Sequence, residues 1–186
     1  MTDLATTDRL PSPARRAGGV FYLAGAAVLF SLALACATPF AALATAATFA
    51  LPRRDTVFAV CLAFVANQLI GFGFLDYPRD AETIAWGAGI GLAALASLGA
   101  AMAAARPAAR FGRLAAWGSS FAAAFAVWQL ALFAAGQVIG TGSAGFSAEI
   151  VAWVLQLNAV ALAGFAGLWA LARHAGLVGA AAPKAV

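Results

Sequence analysis

Charged side chains are scarce in this sequence, and its long apolar runs contain none in their interiors. Only 10% of the residues are charged and 64% are hydrophobic, whereas soluble domains carry about 25% charged residues. This composition excludes a soluble domain. Proton-driven transporters need ionisable groups at depth in the membrane. The lack of charged residues inside the apolar runs therefore argues against that class as well.

Histidine and cysteine are equally rare. The single histidine, His174, follows the last apolar run, and the two cysteines, Cys36 and Cys61, form no CxxC motif. This set excludes a zinc site of the usual spacing and leaves no base and nucleophile for a membrane hydrolase. No basic patch is interleaved with aromatic residues, so a nucleic-acid partner is not expected. We expect a protein that is not an enzyme and holds no intrinsic cofactor.

Six apolar stretches account for most of the chain. A helix needs about 20 apolar residues to cross the bilayer core. We therefore predict an all-α polytopic membrane protein with six transmembrane helices, the second one short, lying between an N-terminal segment, 1–16, and a C-terminal tail, 173–186. The predicted spans are 17–37, 39–51, 56–75, 83–105, 114–139 and 149–172.

The dipeptide Thr38-Pro39 divides what would otherwise be one run from Ala17 to Leu51. An unbroken helix over those residues would span about 52 Å, far more than the roughly 30 Å of hydrocarbon. Proline disrupts a helix interior but suits a first turn, and threonine is a good N-cap. The sequence therefore predicts that one helix ends near Ala37 and that the next begins at Pro39.

The second predicted helix, 39–51, is short, with a length of about 20 Å. If it begins below the outer membrane surface, it leaves a depression above Thr38, where free N–H groups would suit ligand oxygens. The alternative is a plain tight hairpin that binds nothing.

Basic residues alternate between the two sides of this predicted bundle. Of the eleven Lys and Arg residues, all but Arg79 fall on one side, which makes ten. Loops rich in Lys and Arg stay in the cytoplasm, so both termini are predicted to be cytoplasmic, in a protein that spans a bacterial inner membrane. The ten residues are Arg9, Arg15, Arg16, Arg53, Arg54, Arg106, Arg110, Arg113, Arg173 and Lys184.

Neutral polar residues gather in the outer halves of the predicted spans. They are either hydrogen-bonding groups between helices or the lining of an outward-facing pocket. Cys36 lies beside the break at Thr38, so its thiolate is the better placed of the two cysteines to bind a soft or borderline metal. The neutral polar residues are Asn67, Gln68, Gln137, Gln156 and Asn158.

Two stretches resemble a known family. They are ACATPFAAL, which begins at Ala35, and ANQLIGFGFLDYP, which begins at Ala66 and is followed by TIAWG from Thr83. Together they resemble the BtuM-type cobalamin transporters, which are related to the substrate-binding S-components of energy-coupling-factor (ECF) uptake systems. The resemblance covers roughly residues 31–95.

The resemblance implies a carrier that binds a vitamin, cobalamin first among them, in an outward-facing pocket, and that draws energy from ATPases through an ECF-type coupling protein. It carries over Asn67, Gln68, Tyr77 and Trp86 as members of the motif, beside Thr38 at the break. It also implies a cysteine ligand to the cobalt of the transported cobalamin, for which Cys36 is the first candidate and Cys61 the alternative.

A second interpretation stays open, namely a small polytopic scaffold or assembly factor that binds other membrane proteins and no small ligand. Small residues such as Ala159, Ala163 and Gly167 recur at intervals that let helices approach closely. This pattern fits either interpretation.

The first prediction concerns topology. A phosphatase reporter fused at residue 55 should be inactive, because the chain turns round near position 38 and returns Arg53 and Arg54 to the cytoplasm. The same reporter fused after Arg79 should be active in the periplasm. The opposite pattern would reverse the predicted orientation of every helix.

Overall fold

The computed structural model describes residues 13–33, 38–142 and 144–178, and within these it forms helices and no strand. Short 3-10 turns follow α4 at Ala109–Phe111 and precede α6 at Ala144–Phe146. The helices are α1 Pro13–Ala33, α2 Phe40–Ala50, α3 Arg53–Gly73, α4 Ala81–Ala108, α5 Arg113–Ile139 and α6 Ala148–His174.

Length and composition make this an all-α polytopic membrane protein. The four helices α3 to α6 are each long and apolar enough to cross a bilayer, and α2 is a shorter apolar helix. The predicted fold class, with its short second helix, is confirmed. The final residues of the first predicted span, 34–37, lie outside the described residues.

Helix ends differ from the apolar stretches by a few residues. α3 begins at Arg53, three residues before the predicted start at Thr56, and α4 runs to Ala108, past Ala105. An apolar run marks only the part of a helix that lies in hydrocarbon, and backbone hydrogen bonding continues into the polar interface. At the start of α4, Asp80 accepts a hydrogen bond from the Thr83 N–H at 2.8 Å, which lowers the pKa of Asp80 below its usual value.

The short helix α2 forms the centre of the bundle. It contacts each of the other five helices, and every residue from Phe40 to Ala50 is buried except Phe49, which is half-buried. A helix that is apolar on all sides belongs in a core. The alanine-rich sequence of α2 allows five neighbours to pack closely around it.

Two contacts show which helix ends lie together. Arg16 of α1 forms a two-pronged ion pair with Asp55 of α3, with N–O distances of 2.8 and 2.9 Å. A Cβ at Gly18 would lie 3.7 Å from the Leu177 carbonyl oxygen, just past α6. We call this the inner end, and the end where α3 meets α4 the outer end. Since α1 and α3 begin at the same end, the predicted reversal near position 38 is confirmed.

Aromatic contacts hold α2 in the inner half of the bundle. Phe49, near its last turn, stacks on Trp117 with ring centroids 4.6 Å apart. Phe40, its first residue, packs on Trp128 at 5.3 Å. Trp128 lies 11 residues before the end of α5 at Ile139, which corresponds to about 17 Å of helix. α5 therefore extends well beyond the start of α2 on the outer side.

Helices α4 and α5 form the closest pair in the bundle. The Ser97 hydroxyl donates to the Ala124 carbonyl and the Ser120 hydroxyl donates to the Ala101 carbonyl, both at 2.9 Å. A Cβ at Gly89 would lie 3.1 Å from that of Ala135. Small residues and hydroxyl groups at the interface are typical of helix pairs in membranes.

The second prediction tests the central position of α2. Ala44→Leu adds volume where Ala44 is fully buried, and overpacking of this kind costs about 1–3 kcal/mol. The Tm of the purified protein in detergent should fall by several degrees. Ala96→Leu makes the same change at an exposed position of α4 and should leave the Tm nearly unchanged. Equal effects of the two variants would contradict a central α2.

Candidate functional site at the outer end of the bundle

We use the name outer recess for the region beyond the first turn of α2, next to the parts of α3, α5 and α6 that extend past it. Its centre is a hydrogen bond from the Asn67 Nδ2 to the Thr38 Oγ1, with a length of 2.7 Å. Asn67 lies six residues before Gly73, the last residue of α3, so about 9 Å of α3 extends beyond it. Two residues predicted to share a site are thus in direct contact.

Asn158 of α6 caps α2 from the side. Its Oδ1 accepts a hydrogen bond from the Ala42 N–H at 3.2 Å, and its Nδ2 donates to the Val154 carbonyl at 3.0 Å. Its side chain is only 4% exposed. Asn158 lies ten residues after the start of α6, or about 15 Å, so the start of α2 lies as deep on this side as on the α5 side.

The start of α2 corrects one prediction. The helix begins at Phe40 and its N-cap residue is Pro39. The N-cap residue itself forms no side-chain hydrogen bond to the first turn. Thr38 is therefore not the N-cap, and its Oγ1 accepts a hydrogen bond from the Asn67 Nδ2. The predicted free N–H groups are also wrong for Phe40, Ala42 and Leu43, which donate to the Thr38 carbonyl, Asn158 and the Pro39 carbonyl.

Tyr77 folds back over the end of α3. Its N–H donates to the Gly71 carbonyl at 3.1 Å, and a Cβ at Gly71 would lie 2.8 Å from the tyrosine ring. Gly71 follows Asn67 by four residues, so the two share a helix face. The Tyr77 ring thus lies about one turn outward from the hydrogen bond between Thr38 and Asn67. A side chain at position 71 would displace it.

Gln68 and Trp86 lie in the helix contacts beside the recess. A Cβ at Gly87 of α4 would lie 3.1 Å from the Gln68 Oε1, and a Cβ at Gly136 of α5 would lie 3.5 Å from the Trp86 ring. Both side chains are half-buried. They line the junction of α3, α4 and α5, while Gln137 and Gln156 are exposed on the outside of the bundle.

The two cysteines have different positions relative to the recess. Cys36 lies outside the described residues. Cys61 is a free, half-buried thiol that lines a cleft between α1 and α3 together with Arg53 and Arg54. This cleft is at the inner end, so Cys61 does not join Thr38 and Asn67. Residues 13–33, 38–142 and 144–178 contain no group of three or more His, Cys, Asp or Glu side chains that could hold a metal ion.

Packing alone reveals the capping role of Asn158. In the sequence, Asn158 is an amide within an apolar run, and so is Gln156. The structure separates them, because Gln156 is exposed and Asn158 is buried.

Comparison with protein-family models, curated proteins and solved structures gives no match. The membrane fold therefore rests on the chain's own sequence and structure.

The third prediction concerns the cap on α2. Asn158→Leu leaves the buried Ala42 N–H without an acceptor, which costs about 1–3 kcal/mol. The Tm in lipid nanodiscs should fall by several degrees. Gln156→Leu, the same change two residues away on an exposed position, serves as the control and should have little effect. If the control is as destabilising as Asn158→Leu, the cap does not stabilise α2.

Proposed function

We propose that this protein is a membrane carrier that binds a vitamin, cobalamin first among them, in the outer recess and brings it across a bacterial inner membrane. The observation that carries the proposal is the depth of the start of α2. Phe40 packs against Trp128 and Ala42 against Asn158, both about 15–17 Å short of the outer ends of their helices. A polar floor at that depth suits a ligand that enters from outside.

The chemistry of the recess supports a large neutral ligand. Ligand sites are mostly apolar and aromatic, with a few polar groups that fix orientation. Thr38 and Asn67 offer neutral polar groups and Tyr77 offers aromatic surface, while Gln68 and Trp86 lie beside the recess at the junction of α3, α4 and α5. Cobalamin combines a broad corrin ring with many amide side chains, and both parts would find partners of these kinds.

Cys36 is the cobalt ligand in this proposal. It precedes Thr38 by two residues, so the chain can bring its thiolate close to the polar floor. A thiolate is a soft ligand suited to such a metal. The position of Cys61 at the inner end, among arginine side chains, favours Cys36 over Cys61.

A partner that supplies energy belongs to the same proposal. No Asp, Glu, Lys, Arg or His lies well inside the apolar stretches, so ion-coupled transport has no charged relay to use. On α6, Ala159, Ala163 and Gly167 are all exposed, and a Cβ at Gly167 would meet no atom within 4 Å. A stripe of small residues on an outer helix face suits docking of another transmembrane helix, such as one from an ECF-type coupling protein with its ATPases.

The same stripe favours a second candidate function. A scaffold or assembly factor would bind membrane proteins through α6 and would need no ligand in the outer recess. The two candidates differ in whether the purified protein carries a vitamin.

The fourth prediction separates them. Protein purified from cells grown with cobalamin should show a corrin absorption band that follows it through gel filtration. Cys36→Ser should change that spectrum and lower uptake in a cobalamin-requiring host by at least about tenfold, because it removes a metal ligand. A colourless protein that restores no uptake would contradict the carrier and favour the scaffold.

Cys61→Ser is the matched control. It makes the same chemical change at the inner end and should leave both spectrum and uptake as in the unaltered protein. If Cys61→Ser alone alters the spectrum, the ligand lies at the inner end and the outer recess is not the site.

A further inference from the structure

A cleft between α1 and α3 opens at the inner end of the bundle. It has a volume of about 860 Å³. We call it the inner cleft. Phe21 and Phe58, which line it, are 62% and 58% exposed. The cleft therefore opens sideways, towards the surroundings of the bundle. Its lining residues are Pro13, Arg16, Ala17, Val20, Phe21, Arg53, Arg54, Asp55, Val57, Phe58 and Cys61.

The rim of the inner cleft carries excess positive charge. The ion pair between Arg16 and Asp55, at 2.8 Å, neutralises one arginine and the only carboxylate of the lining. Arg53 and Arg54 are exposed and have no hydrogen-bond or ion-pair partner among the described residues. The guanidinium groups of these two consecutive residues line the cleft at the start of α3 and present donors suited to phosphate oxygens.

Below this rim the inner cleft is apolar. Val57, Phe58 and Cys61 continue along α3 from Arg53, and Val20 and Phe21 face them from α1. Cys61 lies eight residues after Arg53, which puts it about 12 Å deeper along the helix. An occupant that satisfies both levels needs an anionic head and an apolar tail.

We propose that the inner cleft binds an anionic phospholipid, with its phosphate on Arg53 and Arg54 and an acyl chain along Phe21, Val57 and Phe58. Basic pockets between transmembrane helices on the cytoplasmic side are known to hold such headgroups. A lipid fits better than a soluble anion, because phosphate alone would make no contact with the apolar residues below the arginines. The site is distinct from the outer recess and does not depend on the carrier role.

The fifth prediction is a selective loss of lipid affinity. The full chain in detergent is titrated with phosphatidylglycerol or with phosphatidylcholine of the same acyl chains, and bound lipids are counted by native mass spectrometry. Phosphatidylglycerol should bind more tightly. Arg53→Gln with Arg54→Gln should weaken it about twenty-fivefold, at roughly fivefold per arginine, and leave the binding of phosphatidylcholine unchanged.

Arg106→Gln with Arg113→Gln is the matched control. Both arginines are exposed near the inner ends of α4 and α5, outside the inner cleft, and their loss should change binding less than twofold or so. Gel filtration verifies that each variant is folded. Equal affinity for the two lipids, or an equal loss in the control pair, would overturn the proposal.

A photoactivatable acyl chain locates the bound lipid independently. Phosphatidylglycerol carrying such a group should label the segment that contains Phe58 and Cys61, and the labelling should fade in the Arg53→Gln, Arg54→Gln variant. Labelling confined to α5 and α6, or labelling that glycerol phosphate suppresses as strongly as phosphatidylglycerol does, would also overturn it.

Discussion

The architecture depends on one short helix that is tied at its inner end. α2 has 11 residues and its neighbours have 21 to 28, so it cannot reach both ends of the bundle. Leu51 and Pro52 join it directly to α3. The Thr56 hydroxyl lies 3.0 to 3.2 Å from the carbonyls of Ala47, Leu51 and Pro52. The neighbouring helices therefore extend beyond α2 at the outer end.

Neutral side chains form hydrogen bonds with the backbone at both ends of α2. In a membrane interior, an unpaired backbone group costs several kcal/mol. The start of α2 lies deep inside the bundle. Asn158 supplies an acceptor at the start, and Thr56 lies over the carbonyls at the end. Among the described residues, no buried side-chain nitrogen or oxygen lacks a partner. Neutral polar side chains are thus sufficient for a core that contains almost no charge.

Much of this fold could be predicted from the sequence, and the reasons are local. Thr38-Pro39 marks the reversal, and the alternation of arginines requires a crossing on either side of it. The central position of α2 could not be predicted, because an alanine-rich segment has no distinct apolar face to orient it. Thr38 was predicted to cap α2, but it precedes the N-cap Pro39, and its hydroxyl accepts a hydrogen bond from Asn67, 29 residues away. A contact between residues so far apart in the sequence depends on how the helices pack, which residue spacing does not reveal.

The two ends of the bundle differ in chemistry, and this difference bears on the proposed transport. At the outer end the recess offers amides, a hydroxyl and aromatic rings, all neutral. At the inner end Arg16, Arg53 and Arg54 surround the inner cleft. A neutral site binds a neutral ligand at no cost in buried charge, but it also gives an ion gradient nothing to act on. If the carrier proposal holds, release of the ligand must therefore be driven by movement of the helices around α2. α6 contacts α2 through the buried Asn158 and carries the small-residue stripe on its exposed face, so a partner bound to that stripe would act on α2 through α6.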